Sequence, residues 1–302
     1  MVKEIFKANR PDLSEGSIRT YTSILNNVAK QLKIELKHPS DVIKHYADII
    51  KHLESVDPKT RKTRLACLIV FIDNDDSKDK EKAVEALRKL MNSDIAVSKK
   101  EIDEQQLSDR QKEGMMTMDE IMRKYNELEK EVQPLLKKDS LSSVQFCHVQ
   151  LYVLLSCLLL IPPRRSLDYT AFKIRNVDAT NDNFMKTDKK VSSFVFNTYK
   201  TSKKYGTQTE VIPKKLATIM KQWIALNPHE YLLMNTKQKN HITPTQLTHL
   251  MHSFFHKPLS TSLLRHIYLS DKYKDIPALK DMKATAEAMG HSLPVALEYI
   301  KK

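Results

Sequence analysis

Glycine is nearly missing: the 302-residue chain contains four. Phosphate-cradling loops and tight β-hairpins rely on glycine for backbone conformations that other residues resist. The scarcity therefore argues against a glycine-rich nucleotide cradle and against a large hairpin-built β fold, and it favours helix. Cysteine is as scarce. Cys67, Cys147 and Cys157 are odd in number and show neither a CxxC nor a Cys/His ligand spacing. A disulfide framework and a zinc site are both unsupported, and buried reduced thiols in an intracellular protein are expected. The start, MVKEIFKANRPDLSEG, has no apolar signal-peptide core. The longest apolar run, VQLYVLLSCLLLI (149–161), is too short to span a bilayer and ends at two prolines. It reads as a core helix, and no membrane partner is expected.

What the chain has in excess is positive charge, +13 net, with 41% hydrophobic and 29% charged residues. The proportions are those of a soluble globular protein, and the length suits two domains better than one. Such an excess attracts polyanions, of which nucleic acid is the commonest inside cells.

The first half reads as helices. SEGSIRTYTSILNNVAKQL (14–32) spaces Ile18, Tyr21, Leu25, Val28 and Leu32 helically after a cap-like Ser14 or Ser17. SDVIKHYADIIKHL (40–53) is a second helix. A third opens at Asp57-Pro58 and runs through KTRKTRLACLIVFI. Lys59, Arg61, Lys62 and Arg64 in its first turns oppose the helix dipole at a cost of a few tenths of a kcal/mol each, which suggests that an anionic partner covers them. The polar stretch 96–116 reads as a linker, after which Thr117 and Glu120 form a capping box. In the second half a buried helix at 143–161 precedes three short strands, expected at 171–177, 192–199 and 207–213, and helices return from 214 onward. The fold class is mostly α in two domains, a helical one at 1–95 and a mainly helical one at 117–302 holding a small three-stranded antiparallel sheet.

Four segments carry candidate chemistry. In IPPRRSLDY (161–169), Arg164 and Arg165 follow the buried helix, and Asp168, three residues past Arg165, is placed to orient it. In TYKTSKKYGTQTEVIP (198–213), Lys200, Lys203 and Lys204 sit at a hairpin tip. In STSLLRHIYLS (260–270), Ser262, Arg265 and His266 share a helix face, and an arginine there calls for an anion or a carboxylate. Gly290-His291 is followed by Tyr299.

With Arg165-Ser-Leu-Asp168, Tyr199-Lys200-Thr201, Ser262-Leu-Leu-Arg265-His266, Gly290-His291 and Tyr299 in this order, the chain resembles tyrosine recombinases of the phage-integrase type. The wording of the first two motifs is similar to integrase-like proteins of large DNA viruses and mobile elements. The likeness covers nearly the whole chain and is specific in the second half. It implies a SAM-like core-binding domain followed by a catalytic domain. It also implies site-specific cleavage and rejoining of double-stranded DNA through a 3′-phosphotyrosine on Tyr299, without metal, ATP or small-molecule cofactor. Arg165 and Arg265 would hold the phosphate, and His291 of the Gly-His pair would be a further catalytic residue. A lysine, Lys200 before Lys203 or Lys204, would protonate the leaving oxygen, with Asp168, Ser262 and His266 in support and His266 packing inward. Arg164, Lys203, Lys204 and the 59–64 cations would contact DNA, and the working form would be a tetramer on two sites, wherever the DNA is. Two departures stand out: serine at 262 where the family has histidine, and eight residues rather than nine between His291 and Tyr299. A protein that keeps the fold but only binds DNA, and a type IB topoisomerase, are the alternatives.

Overall fold

The computed structural model describes residues 2–188, 191–290 and 292–298. It is mostly helical with one small antiparallel sheet, and its contacts gather into two compact units. One holds the residues up to Gln106 together with those from Pro277 onward; the other is Leu107–Ile276. Among the described residues no helix is long and apolar enough to cross a membrane.

The first unit opens with α1 (Val2–Asn9), α2 (Glu15–Leu32), α3 (Pro39–Lys44), α4 (Tyr46–Glu54), α5 (Pro58–Phe71) and α6 (Lys80–Asp103). Local chemistry sets several of these ends. Ser14 caps α2 by accepting from the Ser17 amide, and Asp57 caps α5 by accepting from the amides of Lys59 and Thr60, with Pro58 at the first helical position. The helix expected at 40–53 is divided at His45, between α3 and α4. The core joins Phe6, Leu25, Val28, Leu68 and Phe71, all fully buried. Residues 96–116, expected as a linker, are the last turns of α6, a turn, and the short helix α7 (Asp109–Gly114). The boundary between the two units falls in this stretch, after Gln106.

The second unit continues with α8 (Met118–Val132), α9 (Ser143–Leu159) and α10 (Ser166–Thr170). Next come β1 (Phe184–Thr187), β2 (Ser192–Phe196), α11 (Ser202–Tyr205) and β3 (Gln208–Val211), then α12 (Lys214–Leu226), α13 (Pro244–Phe255) and α14 (Thr261–Lys272). The Thr117–Glu120 capping box opens α8 as expected, each residue's amide bonding to the other's side chain. Helix α9 is buried on nearly every side and packs against α8 and α12. Each fully buried Leu or Val there contributes about 1.5–3 kcal/mol.

The sheet order is β1-β2-β3, with Phe184 opposite Val195 and Phe194 opposite Glu210. Its first strand is a correction: 184–187 pairs with β2, whereas 171–177 forms only isolated bridges at Lys173. The backbone amides there bond elsewhere, Lys173 to the Asn183 carbonyl and Ile174 to that of Glu230. Gly206, with φ +65°, turns the chain between α11 and β3. Gly114 serves a different need: a Cβ there would come 2.6 Å from Leu263 and 2.7 Å from the Pro258 carbonyl, so glycine lets α7 close on the start of α14.

The segment from Pro277 holds α15 (Leu279–Ala288) and α16 (Leu293–Glu298). Lys283 pairs with Asp103, and the Leu279 amide bonds to Gln105, which ties α15 to the end of α6. Placing this segment in one body with 117–276 therefore differs from the observed grouping.

Candidate active site

Pro162-Pro163 ends α9, because proline has no amide to extend the ladder, and Arg165 stands at the N-cap of α10 in extended conformation. Tyr169 anchors the turn from below, its buried hydroxyl donating to the Cys157 carbonyl at 3.1 Å. The two arginines of this turn part company. Arg164 Nε donates to Asp168 Oδ2 at 2.9 Å, and its Nη1 donates to Gln208 Oε1 at 2.9 Å. Its guanidinium carbon lies 3.9 Å from the Phe196 ring centre. The expected Arg165–Asp168 pair is thus replaced by Arg164–Asp168. Gln208 of β3 and Phe196 of β2 hold the Arg164 guanidinium where it meets the carboxylate.

Asp168 is 2% exposed. Burial pushes its carboxyl above the usual range, opposed in turn by Arg164, Arg165 and Arg265. Its Oδ1 has no hydrogen-bond partner among the described residues. Arg265, half-buried on α14, is pushed down first by burial and then by Arg165, and Asp168 counteracts this. A guanidinium stays charged across the physiological range regardless.

Arg165 and Arg265 face a pocket of about 320 Å³, walled further by Pro162, Asp168, Tyr199, Tyr205 and Gln208. Both are half-buried, and neither makes a side-chain hydrogen bond or ion pair among the described residues. Two guanidiniums lining one pocket with their donors unbonded can offer paired hydrogen bonds to an anion of phosphate geometry.

The remaining expected residues fall differently. Lys200, Lys203 and Lys204 are exposed on the β2–β3 connection, while Tyr199, Thr201 and Tyr205 between them line the pocket. Ser262 and His266 are exposed. The inward packing expected of His266 is a correction: Leu263, Leu264 and Ile267 fill the buried face of α14. His291 and Tyr299 lie outside the described residues. Gly290, at φ +74°, ends α15, and α16 begins at Leu293, so two separate helices flank the Gly290 turn.

In the first unit the four cations of α5 also divide. Arg61 donates from Nε to Asp94 Oδ2 at 2.8 Å and from Nη1 to the Glu54 carbonyl at 2.9 Å. Its side chain is 14% exposed and that of Asp94 is 2%. The guanidinium of Arg61, expected at the DNA, is committed to a bidentate pair over a buried carboxylate that joins α5 to α6 and to the end of α4. Lys59 pairs with Glu101 at 2.8 Å, Arg64 bonds to Gln31 at 3.2 Å, and Lys62 is exposed. Lys59 and Arg64 border a groove of about 510 Å³ between α2 and α5, with Ser23, Asn27, Thr60 and Thr63. Ser23 and Asn27 went unmarked in the sequence, although their i,i+4 spacing on the polar side of α2 is the signal that finds them.

Among the described residues no group of three or more His, Cys, Asp or Glu side chains is arranged to hold a metal ion. No protein-family model matches the chain, and no curated protein matches it at a significant level.

Proposed function

We propose that the chain is a DNA strand-cleaving and rejoining enzyme of the tyrosine-recombinase kind, in which Arg165 and Arg265 hold the scissile phosphate. The single observation that carries this reading is the pair of half-buried, unpartnered guanidiniums lining one pocket. Their donors match the phosphate oxygens where negative charge builds during attack. The Tyr299 oxygen bonds to phosphorus as the bond from phosphorus to the 5′ oxygen breaks. The departing electron pair takes a proton from the ammonium of Lys200, Lys203 or Lys204, and the phenol proton passes to water. The energy of the broken bond is kept in the phosphotyrosine, so rejoining is the reverse step.

In this reading the N-terminal helices α1 to α5 and the start of α6 are the core-binding domain, with Lys62 and Arg64 facing the DNA backbone, and several copies assemble on paired sites inside the cell. A second reading, a DNA-binding protein without cleavage, draws support from Ser262 in the histidine position and from the lysines lying off the pocket wall. Incubation with nicked duplexes carrying a randomised central segment, followed by a denaturing gel, separates the two. Covalently shifted protein is expected; binding without any shift would favour the second reading.

A further inference from the structure

A buried side chain that no sequence motif marks joins the arginine turn to the lysine-bearing loop. Asn183, 6% exposed, lies just before β1. Its Nδ2 donates to the Asp168 carbonyl at 2.9 Å and to the Thr198 carbonyl at 2.8 Å. Its Oδ1 accepts from the amides of Asn197 and Thr198, both at 2.9 Å. Both N–H groups and both lone pairs of the amide are thereby used. The orientation is unambiguous, since a flipped amide would set N–H against N–H and oxygen against oxygen.

One end of this bridge is Asp168, the carboxylate paired with Arg164 beside the pocket. The other is the backbone at 197–198, two residues before Lys200. Asn197 fastens the same loop a second time, donating to the carbonyls of Ala179 and Asp182 at 2.8 Å each and accepting from the Thr207 hydroxyl at 2.8 Å. Thr198 adds a bond to the Asn181 carbonyl at 2.7 Å. A loop end held by so many directional bonds has little freedom to drift against the arginines.

We infer that Asn183 is a positioning residue, holding the start of the β2–β3 loop in register with the Arg165–Arg265 pocket so that a loop lysine reaches the leaving oxygen. The inference rests on the function proposed above. Asn183 touches no substrate; it acts through the loop.

Its test uses Asn183→Asp in the full chain. The substitution keeps the shape and both acceptor contacts but sets a carboxylate oxygen against the Asp168 and Thr198 carbonyls. The probes are two versions of a nicked duplex recovered as a covalent adduct of the wild-type protein, one with the natural 5′ oxygen at the cleaved bond and one with sulfur there. A thiol is far more acidic than an alcohol, so the sulfur leaves without a proton donor.

The variant is expected to cleave the oxygen substrate roughly 10- to 100-fold more slowly, the scale of a small misplacement of a catalytic group. On the sulfur substrate it should cleave within about threefold of wild type, with DNA affinity similarly preserved, because the donor is then not needed. Equal losses on both substrates would overturn the inference, since they would place the defect at the arginines or in the fold. No loss on either would overturn it too. If Asn183→Asp fails to fold by circular dichroism, Asn197→Ala is read the same way: a smaller oxygen-selective loss supports the inference, and none contradicts it. Wild-type protein that forms no adduct removes the proposed function itself, which is a distinct outcome.

Discussion

Two basic stretches, one in each unit, look alike in sequence and have different fates side chain by side chain. In the first unit Arg61 is locked onto Asp94, while Lys62 and Arg64 beside it stay on or near the surface. In the second, Arg164 is locked onto Asp168, while Arg165 beside it turns to a pocket with Arg265. Each stretch commits one arginine to a buried carboxylate and leaves an adjacent cation, Lys62 or Arg165, outside that pair. A buried carboxylate is costly unless it is paired, so it claims whichever guanidinium reaches it first in space. Adjacency in the chain does not say which that is.

The contrast can be broken by substitution. Arg61→Ala and Arg164→Ala each strand a buried carboxylate and should destabilise the protein by about 3–5 kcal/mol in denaturant unfolding. A loss under about 1 kcal/mol would show that the pair is not structural. Arg165→Ala and Arg265→Ala should leave the unfolding midpoint nearly unchanged and lower adduct formation by roughly 100- to 1,000-fold, the usual effect of removing one charge-stabilising donor. If either variant cleaves normally, the phosphate-holding role is wrong.

The smallest effect belongs to the exposed cations. Lys62→Ala should weaken duplex binding without altering stability and reduce the salt slope by about one. An unchanged slope would place DNA elsewhere.

Much of the fold was legible because its cause is local. The caps at Ser14, Asp57 and Thr117 follow from side chains bonding amides two or three residues away, and the run at 149–161 is apolar enough to demand burial. The failures share a different cause. AFKIRNV at 171–177 alternates like a strand, yet its amides bond to Asn183 and Glu230, partners that only the tertiary arrangement supplies. The true first strand, FMKT, has four residues and half of them exposed, too little pattern to see.

At the site the arginines, the aspartate and α14 were visible as residue types. Their pairing was not, because it depends on Phe196 and Gln208 arriving from β2 and β3 to hold Arg164. Asn183 gave no signal, since one asparagine in a polar turn resembles any other. Its role comes from the three segments it joins.

Whether the unpaired guanidiniums serve strand cleavage is decided by locating the covalent bond. Wild-type protein is trapped on nicked duplex DNA and digested, and the nucleotide-bearing peptide is sequenced by mass spectrometry. The expected result is a nucleotide on Tyr299, and none in Tyr299→Phe. A nucleotide on Tyr205, which lines the same pocket, or no covalent complex from either protein, would contradict it.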